Sequence, residues 1–187
     1  MNIKYILIIL GEPYSTFSEI IGKYFIKKKY FKKKIILVGN KELLSKQLKK
    51  LNYSFYLNQI TNIEDSKKNM VNIIDVEFKY GKVFSTINTK SNSYIKNSFD
   101  ISLNILKNNR ECVLINGPIS KKTFLKKKYM GITEYLSKKT RAKDEVMLIY
   151  NEKLSVTPLT THIPIKYVAK KIKKKIINKK IIKLNNF

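Results

Sequence analysis

Residues 5–13 read Tyr-Ile-Leu-Ile-Ile-Leu-Gly-Glu-Pro, an apolar run that stops at a glycine. A continuous apolar run without polar alternation is typical of a parallel β-strand that is covered on both faces. Gly11-Glu12-Pro13 then breaks the strand, and Ser15 or Thr16 can cap the helix that follows. The chain therefore opens with a strand, a tight turn and a helix. We expect the helix to turn one apolar stripe inward, formed by Phe17, Ile20, Ile21, Tyr24 and Phe25.

The same alternation continues along the chain and predicts the fold class. Strands and helices in alternation favour an α/β fold with a mainly parallel sheet and helices on both faces. The predicted strands are Ile35–Val38, Ser54–Leu57, Ile73–Phe78, Cys112–Ile115, Val146–Tyr150 and Leu154–Val156; the predicted helices are Lys41–Leu51, Ser91–Leu106 and Ile165–Leu184. Residues 58–90 show the weakest periodicity, and we expect β structure there at the sheet edge or a connection between subdomains.

Composition restricts the classes of partner. A net charge of +26 on 187 residues suggests a polyanion or an anionic membrane surface, but only Arg110 and Arg141 are arginines. Nucleic-acid readers favour arginine, so we interpret the lysines mainly as solvated surface that attracts small anions such as phosphate esters. A basic nucleic-acid-binding or membrane-surface protein, using the C-terminal Lys/Ile helix, remains a further alternative.

The cysteine count and the N-terminal segment favour a cytoplasmic protein, and the length of 187 residues suits one α/β domain of ordinary size. Cys112 is the single cysteine and lies in a strand-like run, so we expect a buried, inert thiol and no disulfide within the chain. Met1–Leu10 is too short to span a bilayer and lacks a small-residue cleavage site, so we interpret it as a first strand rather than a signal peptide. No transmembrane segment is expected.

Three short motifs carry residues that could bind a ligand. In Gly117-Pro118-Ile119-Ser120-Lys121, backbone amides at a helix start and a lysine could hold an anion, although an ordinary turn explains the same residues. In Gly131-Ile132-Thr133-Glu134, the Thr133 hydroxyl either contacts a substrate or caps a helix that begins at Glu134. His162 is the only histidine and could ligate a divalent metal, or it could be a surface or capping residue.

Four motifs of this chain resemble, in order and spacing, those of the 4-hydroxythreonine-4-phosphate dehydrogenase family. They are Gly11-Glu12-Pro13, Gly117–Lys121, Gly131–Glu134 and Thr160-Thr161-His162-Ile163-Pro164. The family is known for NAD-dependent, metal-assisted chemistry in pyridoxal-phosphate synthesis. The resemblance covers about the first half of the family's sequence. It implies the first part of the isocitrate/isopropylmalate dehydrogenase-like architecture, so the chain is either a single α/β domain or an incomplete portion of a two-subdomain enzyme.

The resemblance also implies roles for particular residues. His162 matches a metal-binding histidine, Thr133 matches a substrate contact, and Lys121 matches the family's Gly-Pro-x-x-Lys pattern. The family uses three metal-binding histidines, whereas this chain has one, and Ile132 stands where the family has a substrate-binding histidine. The implied cofactors are NAD and a divalent metal (Zn, Mg or Co). No Gly-x-Gly-x-x-Gly fingerprint is present, so no residue is assigned to NAD.

Three functions follow from the sequence. The first, which the resemblance implies, is oxidation of the small phosphorylated hydroxy-amino acid 4-phosphonooxy-L-threonine by an enzyme that could be a homodimer. The second is a truncated or degenerate relative without catalysis that retains weak phosphate binding. The third is the basic surface-binding protein described above. We also expect Lys121, Thr133 and His162 to face one cleft, because Lys121 and His162 both follow strand-like runs.

Overall fold

The computed structural model describes residues 2–28, 30–126, 128–142 and 145–186. The chain forms two compact units, Met1–Phe124 (unit 1) and Leu125–Phe187 (unit 2). Unit 1 contains a five-stranded sheet, and unit 2 contains short helices and loops.

The sheet of unit 1 is entirely parallel. Its strands are β1 (Tyr5–Ile9), β2 (Lys34–Gly39), β3 (Leu57–Gln59), β4 (Val71–Asp75) and β5 (Cys112–Asn116). They lie in the order β3-β4-β2-β1-β5, with Tyr5 beside Lys34 on one side and beside Cys112 on the other. The chain places β2, β3 and β4 on one side of β1, with β4 between β2 and the edge strand β3, and later crosses to the opposite side for β5. This reversal places a topological switch point between β1 and β5.

Helices cover both faces of this sheet, as the apolar runs predicted. The helices are α1 (Phe17–Lys27), α2 (Lys41–Lys50) and α3 (Asn92–Asn108), with 3₁₀ turns at Ile63–Asp65 and Thr89–Ser91. Alternate strand residues such as Ile8 and Leu37 share one core with Ile21 of α1 and Leu44 of α2. The residues between them point the other way, where α3 packs on β1, β2 and β5. The interior strands β1, β2 and β4 are therefore buried on both faces, whereas Ile115 of β5 is 48% exposed.

Unit 1 differs from the prediction in the inward face of α1, in two strand boundaries and in the role of residues 58–90. Ile20 and Tyr24 do not belong to the inward stripe of α1, because 53% of Ile20 and 46% of Tyr24 is exposed. The third strand begins at Leu57, where the predicted one ended, and the fourth ends at Asp75 rather than Phe78. Residues 58–90 provide β4, which is an interior strand, in addition to most of the edge strand β3.

Unit 2 departs further from the sequence prediction. The helix α4 (Ile132–Thr140) is followed by one antiparallel bridge, Ile149 to Val156, where two strands were predicted. The predicted helix Ile165–Leu184 is divided into a 3₁₀ turn (Ile165–Tyr167), α5 (Val168–Lys171) and α6 (Lys174–Asn185). The break occurs because Ile172 and Lys173 adopt extended backbone, with ψ of 112° and 141°. Among the described residues, no helix combines the length and apolar character that crossing a membrane requires.

Candidate functional site

Two glycine turns meet at the switch point of unit 1. Gly11 follows β1 with φ +71°, and Gly117 follows β5. Their backbones are directly bonded, since the Glu12 N–H donates to the Pro118 carbonyl at 2.8 Å and the Gly117 N–H donates to the Ile9 carbonyl at 2.7 Å. A Cβ on Gly11 would overlap the Pro118 carbonyl oxygen. Both glycines therefore allow close approach of two backbones, as the turn interpretation predicted.

The segment after Gly117 presents Lys121 to solvent. Lys121 begins a π-helical segment, Lys121–Leu125, and its side chain is exposed. The Ser120 hydroxyl accepts a bond from the Thr123 N–H at 3.1 Å, and Asn92 donates to the Thr123 carbonyl at 3.0 Å. The backbone that carries Lys121 is thus tied to α3, whereas its ammonium group is available for a ligand. The anion-binding role of Lys121 stays a prediction.

A buried carboxyl group lies beside the first glycine turn. Glu12 is 2% exposed, and its Oε2 accepts a bond from the Ser91 hydroxyl at 3.0 Å. Its Oε1 has no hydrogen-bond partner among the described residues. Burial raises the pKa of Glu12, because the loss of water disfavours the charged carboxylate more than its hydrogen bonds with Ser91 and with the Tyr14 backbone favour it. The adjoining cavity of about 20 Å³, which Asn40 and Tyr94 also line, has room for one water molecule.

Asn40 stabilises the same edge of the sheet through three hydrogen bonds. Its side chain accepts from the Leu43 N–H at 2.9 Å, which caps α2, and donates to the Val76 carbonyl at 3.1 Å. Its backbone N–H donates to the Tyr94 hydroxyl at 3.2 Å. Burial raises the pKa of Tyr94, so this phenol stays neutral. The ends of β2, β4 and α3 are therefore held together as one rigid edge.

Thr133 lies in a pocket of unit 2. Gly131 has extended backbone at the N-cap position and α4 begins at Ile132, so the prediction that Thr133 caps a helix starting at Glu134 was wrong. The pocket has a volume of about 310 Å³ and is lined by both polar and apolar side chains: Thr133, Glu134, Glu145, Met147, Pro158, Thr161 and Lys180. Thr133 and Thr161, from two of the motifs singled out in the sequence, thus line one pocket.

His162 follows Thr161 in the sequence, and its side chain lies near Glu134 of α4. Its Nε2 lies 3.8 Å from Glu134 Oε1, with the two side chains 46% and 32% exposed. Its φ of +56° is unusual for a residue other than glycine, and such outliers are enriched at binding sites. An imidazole with a carboxylate suits a divalent transition metal. No group of three potential metal-binding side chains occurs in the described part of the chain.

The prediction that Lys121, Thr133 and His162 face one cleft assumed that His162 follows a strand of the sheet, and that assumption was wrong. His162 does not follow a strand of the parallel sheet, because all five strands belong to unit 1 and His162 lies in the loops of unit 2. Lys121 belongs to unit 1, so its placement with Thr133 and His162 stays a prediction. The sequence prediction also overlooked Glu134 as the neighbour of His162, although this glutamate is the last residue of the Gly-Ile-Thr-Glu motif.

The parallel sheet with a switch point between two glycine turns defines a doubly wound α/β protein. The family model described as "Pyridoxal phosphate biosynthetic protein PdxA" matches residues 31–187. The chain belongs to this family.

Relatives and solved structures agree with this assignment. The 4-hydroxythreonine-4-phosphate dehydrogenase of Aquifex aeolicus is 33% identical over 95% of this chain and 56% of its own length. The enzyme of the same name from a Sulfurihydrogenibium species is 31% identical, over 92% of this chain and 54% of its own length. A structure of 4-hydroxythreonine-4-phosphate dehydrogenase from Klebsiella pneumoniae aligns with a TM-score of 0.82 at 20% identity, covering 98% of this chain and 57% of that one.

A second structure, from Burkholderia phymatum, gives a TM-score of 0.78 at 16% identity, over 96% of this chain and 56% of that one. These structures have the isocitrate/isopropylmalate dehydrogenase-like fold, so the predicted fold class and family resemblance are confirmed. The chain spans about half the length of the relatives that it matches.

Proposed function

We propose that this chain takes part in the NAD-dependent, divalent-metal-assisted oxidation of 4-phosphonooxy-L-threonine during pyridoxal 5'-phosphate biosynthesis. One observation carries the proposal: Thr133 and Thr161 line one pocket, and His162 lies next to it with Nε2 3.8 Å from Glu134. These residues come from the motifs that resemble the family's substrate and metal sites. The names of the relatives support the same substrate class.

The residues of the three sequence motifs have distinct roles in this proposal. His162 holds the divalent metal, and the Thr133 hydroxyl donates a hydrogen bond to a substrate oxygen. When bound, the metal would polarise the substrate as a Lewis acid. Lys180 donates to the Pro158 carbonyl at 2.8 Å, which ties α6 to the loop that forms one wall of the pocket. Lys121 attracts the phosphate group by charge, and no residue is assigned to NAD.

A second candidate function is binding of a phosphorylated ligand without turnover. Two features favour it for these 187 residues: His162 is the only histidine, and Ile132 stands where the resemblance implies a substrate-binding histidine. An isoleucine has no hydrogen-bonding group on its side chain, so one polar contact is lost. We therefore expect the 187-residue chain alone to bind the substrate weakly and to catalyse no measurable oxidation.

NADH formation is the direct test of catalysis. Purified chain is incubated with 4-phosphonooxy-L-threonine, NAD and Zn²⁺ or Co²⁺, and the absorbance of NADH is followed. We expect no turnover above the protein-free reaction. Turnover that disappears in His162→Ala would show that this chain alone contains a complete catalytic site, which would contradict the non-catalytic candidate.

Substrate binding is tested separately by calorimetry with Thr133→Val. Valine keeps the shape of threonine but lacks the hydroxyl, so a lost hydrogen bond of about 0.5–1.5 kcal/mol should weaken binding roughly 2- to 13-fold. Thr140→Val is the matched control, since Thr140 lies at the other end of α4 and bonds the Leu136 carbonyl at 2.9 Å. Equal affinities of the two variants would remove Thr133 from the proposed site.

A homodimer is also part of the proposal. Among the described residues, Leu125 and Tyr135 are the only buried hydrophobic residues of unit 2. By contrast, Leu154 is 71% exposed and Ile182 is 60% exposed. Contact with a second copy of the chain would remove apolar side chains such as these from water. Light scattering after size-exclusion chromatography should give twice the 22.0 kDa chain mass; a monomer at all concentrations would contradict this.

A further inference from the structure

We propose that unit 1 carries a binding site for a ligand with two or more linked phosphate groups at the amino-terminal edge of its parallel sheet. This edge lies opposite the glycine turns that follow β1 and β5. The site is independent of the proposed function, which concerns the pocket of unit 2. It gives a role to the segment 27–34, in which six of the eight residues are lysines.

Two adjoining grooves lie at this edge of the sheet. One has a volume of about 230 Å³ beside the first residues of β1 and β2, and the other, of about 410 Å³, lies beside the segment that follows α1. The larger groove falls within the range of ~300–1,000 Å³ that is typical of small-molecule sites. Lys32 and Lys68 line both grooves, so the two grooves meet at these side chains. The lysines that line one groove or both are Lys4, Lys28, Lys32, Lys33, Lys34 and Lys68.

The protein itself neutralises little of the positive charge in the grooves. Lys4 Nζ lies 2.9 Å from Glu111 Oε1, and no other of the six lysines has a carboxylate partner among the described residues. No aspartate or glutamate belongs to the lining of either groove in the described part of the chain. The dipole of α1 favours a basic residue at its last position, Lys27, but Lys32 and Lys68 lie outside the helices. An anion between these ammonium groups would therefore relieve a repulsion between like charges.

Backbone contacts hold the two lysine-bearing loops together. The Asn69 side-chain oxygen accepts a hydrogen bond from the Phe31 N–H at 2.9 Å, and Asn69 has the left-handed φ of +64° that asparagine tolerates. Phe31 is 7% exposed and packs against Phe25, with the ring centroids 5.5 Å apart. The loop that carries Lys32 is thus anchored in the core and bonded to the loop that carries Lys68. The backbone positions from which these lysines extend are therefore fixed.

The first residues of β1 and β2 form the opposite wall of the smaller groove. Tyr5 lies beside Lys34 in the parallel register, and the Lys34 N–H donates to the Lys4 carbonyl at 3.0 Å. Lys34 Nζ lies 5.5 Å from the centre of the Tyr5 ring, which is a cation–π distance. An ammonium group held over a ring can still donate its N–H groups to a ligand. This wall therefore also presents hydrogen-bond donors to the groove.

The chemistry of the grooves favours linked phosphates over other anions. Lysine binds phosphate as a point charge, with three N–H donors on each ammonium group. A single phosphate monoester carries a charge of only about −1.5 to −2 at pH 7, so it would neutralise part of a six-lysine surface. A chain of linked phosphates can place negative charge in both grooves at once. No arginine belongs to the described lining, so the planar group that reads base edges is missing, and a nucleic acid fits less well.

Calorimetry with tripolyphosphate on the 187-residue chain, at fixed ionic strength, tests the inference. Lys32→Gln/Lys68→Gln removes the two shared lysines. Lys79→Gln/Lys82→Gln is the matched control, since both of its lysines are exposed, belong to unit 1 and line neither groove. We expect one saturable site per chain, weakened about tenfold or more in the first variant and at most about twofold in the control. Lys32→Arg/Lys68→Arg keeps both charges and should retain binding. Far-UV circular dichroism confirms that each variant is folded.

Equal affinities of the two glutamine variants would overturn the inference, because the overall charge of +26 would then be the only attraction. A single-stranded oligonucleotide that displaces tripolyphosphate at a lower concentration of phosphate groups would also overturn it, in favour of a nucleic-acid surface.

ATP distinguishes two sources of linked phosphates. Tyr30 is 77% exposed and lines the larger groove, so its ring can stack on a base. Tighter binding of ATP than of tripolyphosphate, with the difference lost in Tyr30→Leu, would support the site and identify its ligand as a nucleotide. Equal affinities for the two probes, unchanged in Tyr30→Leu, would support the site and identify its ligand as a phosphate chain without a base.

Discussion

Replacement of Gly11 by alanine tests whether the glycine turns hold β1 against β5. Gly11 has φ +71°, a conformation that costs a residue with a Cβ roughly 1–2 kcal/mol. The new Cβ would also overlap the Pro118 carbonyl oxygen, which accepts the Glu12 N–H bond at 2.8 Å. Loss of that bond adds about 0.5–1.5 kcal/mol. We therefore expect the free energy of unfolding to fall by about 1.5–3.5 kcal/mol, a large fraction of the ~5–15 kcal/mol typical of a domain.

Urea unfolding followed by far-UV circular dichroism measures this change. The midpoint should fall without a change in the dependence of the unfolding free energy on urea concentration, because the surface exposed on unfolding stays the same. Gly81→Ala is the matched control, since a Cβ there meets no atom within 4 Å and Gly81 does not have a positive φ. That variant should be neutral or slightly stabilised. A Gly11→Ala variant as stable as Gly81→Ala would refute the argument that close backbone approach requires glycine at this turn.

Three further outcomes are expected. Burial raises the pKa of Glu12, so wild-type unfolding free energy should fall as pH rises from the ordinary carboxyl pKa of about 4.3 to the raised value. Glu12→Gln should flatten that part of the profile in urea unfolding across pH; an unchanged slope would contradict the assignment. Burial also raises the pKa of the Cys112 thiol, so a thiol reagent should modify it slowly in the native protein and rapidly in urea, and equal rates would contradict its burial. Lys121→Met should weaken inorganic phosphate binding more than Lys122→Met does; equal affinities by calorimetry would leave only general charge attraction.

The sheet of unit 1 was predictable because burial on both faces leaves a simple pattern in the sequence. Two apolar runs end at a glycine or just before a glycine turn, and each forms a strand with nearly the predicted bounds. These strands are Tyr5–Ile9 and Lys34–Gly39. Cys112, expected to be buried, is 5% exposed. The glycine turns after β1 and β5 were likewise visible, because a glycine after an apolar run marks a sharp change of direction.

The inward face of α1 was harder to predict because small residues carry its closest contacts. Ser18 and Gly22 are buried there, whereas Ile20 and Tyr24 are largely exposed. A Cβ on Gly22 would overlap the ring of Tyr53, so this glycine admits an aromatic side chain from a distant part of the sequence. A predicted hydrophobic stripe includes only the larger apolar residues, so it does not identify a contact that depends on a glycine. Tyr24 instead packs against Phe25 and Phe31, with ring centroids 5.3 and 6.1 Å away.

Unit 2 shows where local sequence patterns stop being informative. The apolar segments 146–150 and 154–156 have strand propensity but form only the Ile149–Val156 bridge, because no further strand pairs with them among the described residues. The Lys/Ile pattern of 165–184 suggested one helix, yet none of the described residues of α5 and α6 is buried. Most helix stability in proteins comes from packing of an apolar face, so a helix without such a face breaks readily, as at Ile172.

The two units therefore respond to different kinds of substitution. Folding of unit 1 depends on buried side chains and on backbone contacts such as those of Gly11, so substitutions there change the free energy of unfolding. The pocket of unit 2 has few buried apolar residues around it, and its geometry depends on individual polar contacts such as that of Lys180 with Pro158. Polar contacts near solvent contribute about 1 kcal/mol each, so Thr133 and His162 variants should alter ligand binding with little change in overall stability. This separation allows the proposed metal and substrate roles to be measured without the loss of fold that often confounds such variants.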